Sequence, residues 1–389
     1  MQPAKKKLQI RKECRFEQLS LSRRPKMQRR AFLMRASAGV AATAIARPAS
    51  AQTGAPVRWR LATSWPKSLD TLYGGVEAMC QRVGQMTDRK FQIQCFAGGE
   101  IVPPLQVWDA TQNGTVECGH TLTSFNIGKN PAVAFDSGLA FGLNTRQQQA
   151  WMNYGGGLEL IRALFKKDGI LPIPCGNVGV QMGGFYRKEI NSVDDLKGLK
   201  FRIGGLGGVI LAKLGVVPLQ IPTADIYPSL ERGAIDAAEW IGPYDDEKLG
   251  LHKVARYYYY PGWWEGSAQV TLLVNLQHWE ALPESYRAAL EAACAEATVL
   301  MMAKYDTRNP EALRRLVASG VQLRQFPRPV LDACYKAAFE TYDELAGRSP
   351  DFKLIYESWQ KFLADSNLWF RIAENTLDNY RFAMSAQPR

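Results

Sequence analysis

Between Val57 and Asn275 short β-type runs alternate with helix-type runs, and that alternation restricts the fold more than any other feature of the chain. Val57–Thr63 and Phe91–Phe96 alternate apolar and polar residues with period two. Between them Leu72, Val76, Met79, Val83 and Met86 recur at helical spacing. The spacing predicts further strands at 115–122, 170–176, 179–186, 199–203, 234–240 and 268–275. It predicts helices at 105–112, 147–167, 205–214 and 225–232. Asn191 and Ser192 start a capped turn over 193–196. Beyond Pro283 the pattern is helical to about Ala383 without strands, broken near Gly320, Pro327-Arg328-Pro329 and Ser349-Pro350. Such alternation implies α/β architecture with mainly parallel sheets. A chain of 389 residues exceeds one compact core, so two domains are expected.

The net charge of +11 looks like a nucleic-acid signal until it is located. Residues 1–51 hold 13 basic and 2 acidic side chains. Taking these from totals of 48 and 37 leaves 35 of each sign, so the remainder is neutral. No nucleic-acid partner follows. Arg29-Arg30-Ala31-Phe32-Leu33 is a twin-arginine pattern. An Ala-rich stretch follows, and Ala49-Ser50-Ala51 forms a small-x-small cleavage signature. The apolar stretch is shorter than the roughly 20 residues a spanning helix needs. Residues 1–51 are therefore expected to be an export signal, with Met27 a candidate start. Of seven cysteines, Cys14 lies in this leader. The other six show no C-x-x-C or zinc spacing; disulfides are permitted in an exported protein, but buried free thiols are favoured.

Catalytic vocabulary is sparse. No P-loop, G-x-S-x-G or H-E-x-x-H occurs, and three scattered histidines make no zinc site. Gly204-Gly205-Leu206-Gly207-Gly208 follows a strand and opens a helix but lacks the full dinucleotide pattern. It leaves a helix N-terminus suited to an anion. Arg202 ends the strand before it, where α/β folds face their ligand crevice, and its planar fork matches a carboxylate. Glu239 and Trp240 close the apolar run from Ala234. Glu265 follows Tyr257-Tyr258-Tyr259-Tyr260-Pro261-Gly262-Trp263-Trp264, and Gln181 sits inside a strand. Converging, Gln181, Glu239 and Glu265 would offer an oxygen cage to a hard cation; apart, the glutamates would pair with lysines. One or two rings of the aromatic block are expected to wall a pocket.

Five segments together resemble the periplasmic solute-binding subunit of tripartite ATP-independent periplasmic (TRAP) transporters. They are Ala62-Thr63-Ser64-Trp65-Pro66, Gly98-Gly99-Glu100-Ile101-Val102-Pro103, Val116-Glu117-Cys118-Gly119-His120, the run Asp194 to Arg202, and the run Leu230 to Trp240. The Glu239-Trp240 pair and the aromatic block are similar to the branch that binds 2-oxo acids or lactate with a metal ion. The resemblance implies a two-lobed, type II periplasmic-binding-protein fold with crossing strands, a long connecting helix and a helical C-terminal region. Lobe I would comprise 57–178 plus about 268–305, and lobe II 179–267 plus about 306–380, with hinges near 178–181 and 264–268. Arg202 would hold a small carboxylate. Gln181, Glu239, the Trp240 carbonyl and Glu265 would hold sodium or calcium, with Gln181 and Trp240 also touching the ligand. Membrane permease subunits would receive the cargo, and some relatives pair as homodimers through the C-terminal helices. Phe125 stands where relatives usually place tyrosine, which removes a hydroxyl; Thr121, Ser124 and Asn126 become candidate replacements. Competing expectations are an exported hydrolase using Glu239 and Glu265 as acid and base, and the ligand-sensing input of a signalling system.

Overall fold

The protein is described here by a computed structural model covering residues 56–386; the export-signal expectation and Cys14 lie outside the described residues. Eleven strands form two sheets among the described residues. The first has the order β2 (Phe91–Phe96), β1 (Val57–Thr63), β3 (Cys118–Thr121), β10 (Gln269–Asn275), β4 (Ile170–Asn177). The second runs β11 (Gln322–Gln325), β9 (Tyr257–Tyr260), β5 (Gly184–Tyr186), β8 (Ala237–Ala238), β6 (Lys200–Arg202), β7 (Val217–Leu219).

β1 pairs in parallel with β2 and β3 because helices return the chain to the same end of the sheet. β10 runs antiparallel to β3 and β4, and β5 runs antiparallel to β8 and β9. The sheets are thus mixed rather than mainly parallel, because β5 and β10 each begin where the chain crosses between sheets. Those crossings are residues 178–183 and 261–268. An isolated antiparallel bridge, Gln181 to Gly262, ties them side by side. The helix Glu284–Ala318 makes a third passage, from β10 to β11.

Several expected elements differ for identifiable reasons. The helix expected at 147–167 is two, Thr145–Tyr154 and Gly157–Lys166, parted at Gly156 in the left-handed region (φ 82°). The strand expected at 234–240 pairs only over Ala237–Ala238, which leaves Glu239 and Trp240 past the ladder. The run at 179–186 pairs continuously only from Gly184, and 115–122 only over Cys118–Thr121. β11 overturns the strandless C-terminal third: three of the four residues of Gln322–Gln325 are polar, and its pairing comes from β9 at the sheet edge rather than from its own alternation. The breaks at Gly320, Pro327 and Ser349 all stand. The Ser349 hydroxyl accepts from the Phe352 amide at 3.2 Å, with Pro350 in the first turn.

Helix Tyr73–Met86 buries Val76, Met79, Cys80 and Val83 against the first sheet and the long helix. At the other end, Trp359 of helix Pro350–Ile372 packs with Phe135, Tyr342 and Tyr356. All six described cysteines are free thiols, five of them buried. No described helix is long and apolar enough to cross a membrane.

Candidate functional site

The two sheets meet at a cavity of about 20 Å³, room for roughly one water molecule. Its wall includes Phe125, Gln181, Arg202, Glu239, Trp240 and Glu265. These six come from five separate stretches of chain, and the topology explains their meeting. β6 and β8 are parallel neighbours with Arg202 opposite Ala238, so their C-terminal ends bring Arg202 beside Glu239. The bridge from Gln181 to Gly262 brings the two crossings together and places Gln181 beside Glu265.

Arg202 is 2 % exposed. Its Nη1 donates to Glu239 Oε1 at 2.5 Å and to the Glu239 carbonyl at 2.7 Å, while Nε donates to the Ile221 carbonyl at 3.2 Å. The guanidinium lies 5.0 Å from the centre of the Trp240 ring, a cation–π contact. Burial pushes the Glu239 carboxyl up to about 7, against the pull of Arg202 and of the Gly204 backbone N–H at the start of helix Gly205–Lys213. Glu265 accepts from Gln181 Nε2 at 2.7 Å. Burial, then the Glu239 charge, push it up to about 8. Neither glutamate meets a lysine among the described residues. Two buried carboxylates thus share one buried guanidinium.

Apart from Ser124, the other walls are apolar or backbone, among them Leu122, Leu206, Ile241, Trp264, Gly204 and Gly207. From the aromatic block only Trp264 lines the cavity, its Nε1 donating to Gln181 Oε1 at 3.3 Å. Trp263 instead stacks on Phe141. The Tyr258 hydroxyl donates to Asp246, and that of Tyr259 reaches the backbone of Ile190. Ser124 and Phe125 line the wall, whereas Asn126 is buried without lining it. Thr121 is likewise absent from the wall, its hydroxyl 2.7 Å from that of Ser64. Gly138 escaped notice in the sequence although it lines the cavity at φ 143°. A Cβ there would sit 2.0 Å from the Ser267 carbonyl oxygen, so only glycine fits.

Comparison with known proteins places this geometry. Residues 61–348 match the family model of bacterial extracellular solute-binding proteins, family 7 (DctP). A monocarboxylate 2-oxoacid-binding periplasmic protein of Nostoc is 47% identical over 93% of this chain and 100% of its own. A TRAP transporter solute-binding protein from Bordetella bronchiseptica is 61% identical, with a TM-score of 0.85, over 86% of this chain and 99% of that one. It was solved as a mixed-occupancy dimer with copurified calcium and picolinate. A TRAP periplasmic solute-binding protein from Pseudoalteromonas atlantica, with bound sodium and pyruvate, is 35% identical with a TM-score of 0.81, over 83% and 98%. The two-sheet architecture with its crossings is the type II, two-lobed fold of these receptors, and the chain belongs to the family 7 extracellular solute-binding proteins, the periplasmic receptors of TRAP transporters.

Proposed function

We propose that this receptor captures a small monocarboxylate, a 2-oxo acid such as pyruvate or else lactate, together with sodium or calcium, and hands it to the membrane permease subunits. One observation carries the reading: a buried guanidinium outnumbered by two buried carboxylates in a single cavity. A cation and a monoanion entering together supply charge to both sides of that imbalance. Arg202 would bind the ligand carboxylate, exchanging its bond to Glu239 for a charge-assisted one. Gln181, Glu239, the Trp240 carbonyl and Glu265 would hold the cation. The donor set fits a hard ion, since every donor atom is oxygen and Glu265 has a single protein partner. The cation would polarise and orient the ligand's second oxygen. Phe125 and Trp240 would close on the remainder; Asn126, off the wall, falls outside the proposed contacts.

The lobes are proposed as 57–178 with about 268–305, and 179–267 with about 306–380. The crossings at 178–183 and 261–268 support hinges there, because few chain passages link the sheets. A cavity this small admits an organic acid only when the lobes part. Export by the twin-arginine route rests on residues 29–51. Pairing of two copies through the C-terminal helices is supported by exposed Leu368, Trp369, Ile372, Leu377, Tyr380 and Phe382. The ligand would be released unchanged, a reading supported by the solute-binding family to which the chain belongs.

Titration calorimetry with pyruvate, before and after chelation, tests the reading. One-to-one binding that needs the cation and returns intact pyruvate is expected. Binding indifferent to chelation, or turnover of the ligand, would refute it.

A further inference from the structure

One aromatic contact between the lobes lies outside the cavity wall and is absorbed by none of the roles above. Trp65 follows β1 in lobe I and is fully buried. Its indole Nε1 donates to His120 Nδ1 at 2.8 Å. That bond makes Nδ1 the acceptor, so Nε2 carries the proton and donates to the Cys175 carbonyl at 3.1 Å. Both ring nitrogens of His120 are therefore committed, and the imidazole is fixed against β4. The backbone of Trp65 is equally constrained, since its carbonyl accepts from the Gly98 amide at 2.9 Å. Trp65 is thus a rigid plate, fixed by both backbone and side chain.

Lobe II lands on this plate. The Trp240 ring meets Trp65 edge to face, with centroids 6.2 Å apart and planes at 69°. The Trp240 ring also faces the Arg202 guanidinium at 5.0 Å. Phe125, on the cavity wall, also leans on Trp65 with centroids 6.4 Å apart. His120 thus contacts Trp65, Trp65 contacts Trp240, and Trp240 contacts Arg202. Packed rings do not compress, so the size of the side chain at 65 decides how far lobe II travels before it stops.

We propose that Trp65, braced by His120, is a positioning residue that sets the closed height of the cleft and thereby selects acids by the bulk of their tails. It lies off the cavity wall and acts through Trp240 and Phe125. The size selection rests on the 2-oxo acid reading given above, while the control of closure does not. A smaller ring at position 65 lets the cleft close differently and enlarges the space beside Phe125. One methylene of misfit in an apolar pocket changes discrimination by roughly 10- to 200-fold.

The experiment compares pyruvate with 4-methyl-2-oxopentanoate by calorimetry in calcium buffer, using wild type, Trp65→Phe, His120→Phe and His120→Gln. Trp65→Phe should weaken pyruvate binding about tenfold and lower the preference for pyruvate over the branched acid by a similar factor. His120→Phe should do the same, and it carries the test if Trp65→Phe does not fold. His120→Gln keeps an acceptor and a donor and should restore most of the preference. An unchanged ratio of the two affinities, whether or not both fall together, overturns the selection and leaves Trp65 merely structural. If wild type binds neither acid, the 2-oxo acid reading fails, and small-angle scattering of the ligand-free proteins decides. A smaller radius of gyration for Trp65→Phe than for wild type supports the closure stop, and an unchanged or larger radius overturns it.

Discussion

Asp136 and Glu265 are both buried carboxylates, and the molecule treats them in opposite ways. In the proposed lobe I, Asp136 accepts from the Thr271 hydroxyl at 2.6 Å, the Thr123 hydroxyl at 3.0 Å and Gln269 Nε2 at 2.9 Å. Both of its oxygens are occupied by groups from its own lobe. Burial raises its pKa to about 6, and the three donors restrain the rise. In the cleft, Glu265 has one donor and the repulsion of Glu239, and its pKa reaches about 8. Burial alone therefore does not mark a functional carboxylate. A carboxylate saturated by its own fold is structural; one left short of donors beside a like charge is completed by something that arrives.

The largest effect expected from this contrast is at Arg202. Arg202→Ala leaves Glu239 and Glu265 buried without the guanidinium, and it removes the fork proposed for the ligand. Truncating one partner of a buried ion pair costs about 3–5 kcal/mol, so affinity for pyruvate should fall by at least two orders of magnitude. Calorimetry on protein with an unchanged circular dichroism spectrum measures it. Retained affinity would show that the cleft is no more a binding site than Asp136 is.

Glu265→Gln comes next. It keeps the shape but removes one of the two negative charges, and calcium affinity should drop by roughly 100-fold. Chelator-treated Glu265→Gln should melt no lower than chelator-treated wild type, because an under-satisfied buried carboxylate has been removed. A fall in both calcium affinity and melting temperature would place Glu265 with Asp136 among structural groups.

Asp136→Asn tests the other side. The folded pKa of about 6 lies above the ordinary 3.8, so the folded state holds its proton more tightly than the unfolded chain does. The stability this confers is fully present below pH 3.8 and is lost as pH rises through 6, a change on the order of 3 kcal/mol. Urea unfolding of Asp136→Asn between pH 4 and 7 should lack that contribution. Its pyruvate affinity should stay within about threefold of wild type. An affinity loss as large as that of Arg202→Ala would erase the distinction.

The contrast also explains what could be read from the chain. β1, β2 and β10 carry their own alternation or apolar run, and helix Tyr73–Met86 carries its own stripe, so local pattern suffices for them. Arg202, Glu239, Glu265 and Gln181 stand out because polar side chains at the ends of apolar runs are conspicuous. Their convergence is not local: Arg202 and Glu239 meet only because β6 and β8 pair in parallel register. β11 and the two-residue β8 owe their existence to neighbours rather than to period. Asp136 gave no signal, since its three donors come from residues 123, 269 and 271, scattered along the chain. Trp65 belongs to a visible motif, yet its bond to His120 depends on β1 and β3 pairing with Thr63 beside His120.

Asp70 supplies the smallest effect and sharpens the contrast from the solvent side. It lies in lobe I after β1, and its carboxylate takes Lys248 and the Tyr244 hydroxyl, at 3.1 Å, from helix Pro243–Lys248, and Lys304, at 2.8 Å, from the long helix. Burial opposes ionisation here, yet the two lysines hold its pKa down at about 2. It therefore has its full complement of partners, as Asp136 does, but two of the three, Lys248 and Tyr244, come from outside its own proposed lobe, and its side chain is 47% exposed. Water screens exposed ion pairs to about 0.2–1 kcal/mol each. Asp70→Asn should therefore weaken pyruvate binding by no more than about fivefold, and chiefly through faster release, because its contacts to Lys248 and Tyr244 exist only while the lobes are closed. Stopped-flow release rates at low and high salt measure it. Wild type should release faster in high salt and Asp70→Asn should not, whereas an equal salt response in both would place Asp70 outside the closing contact.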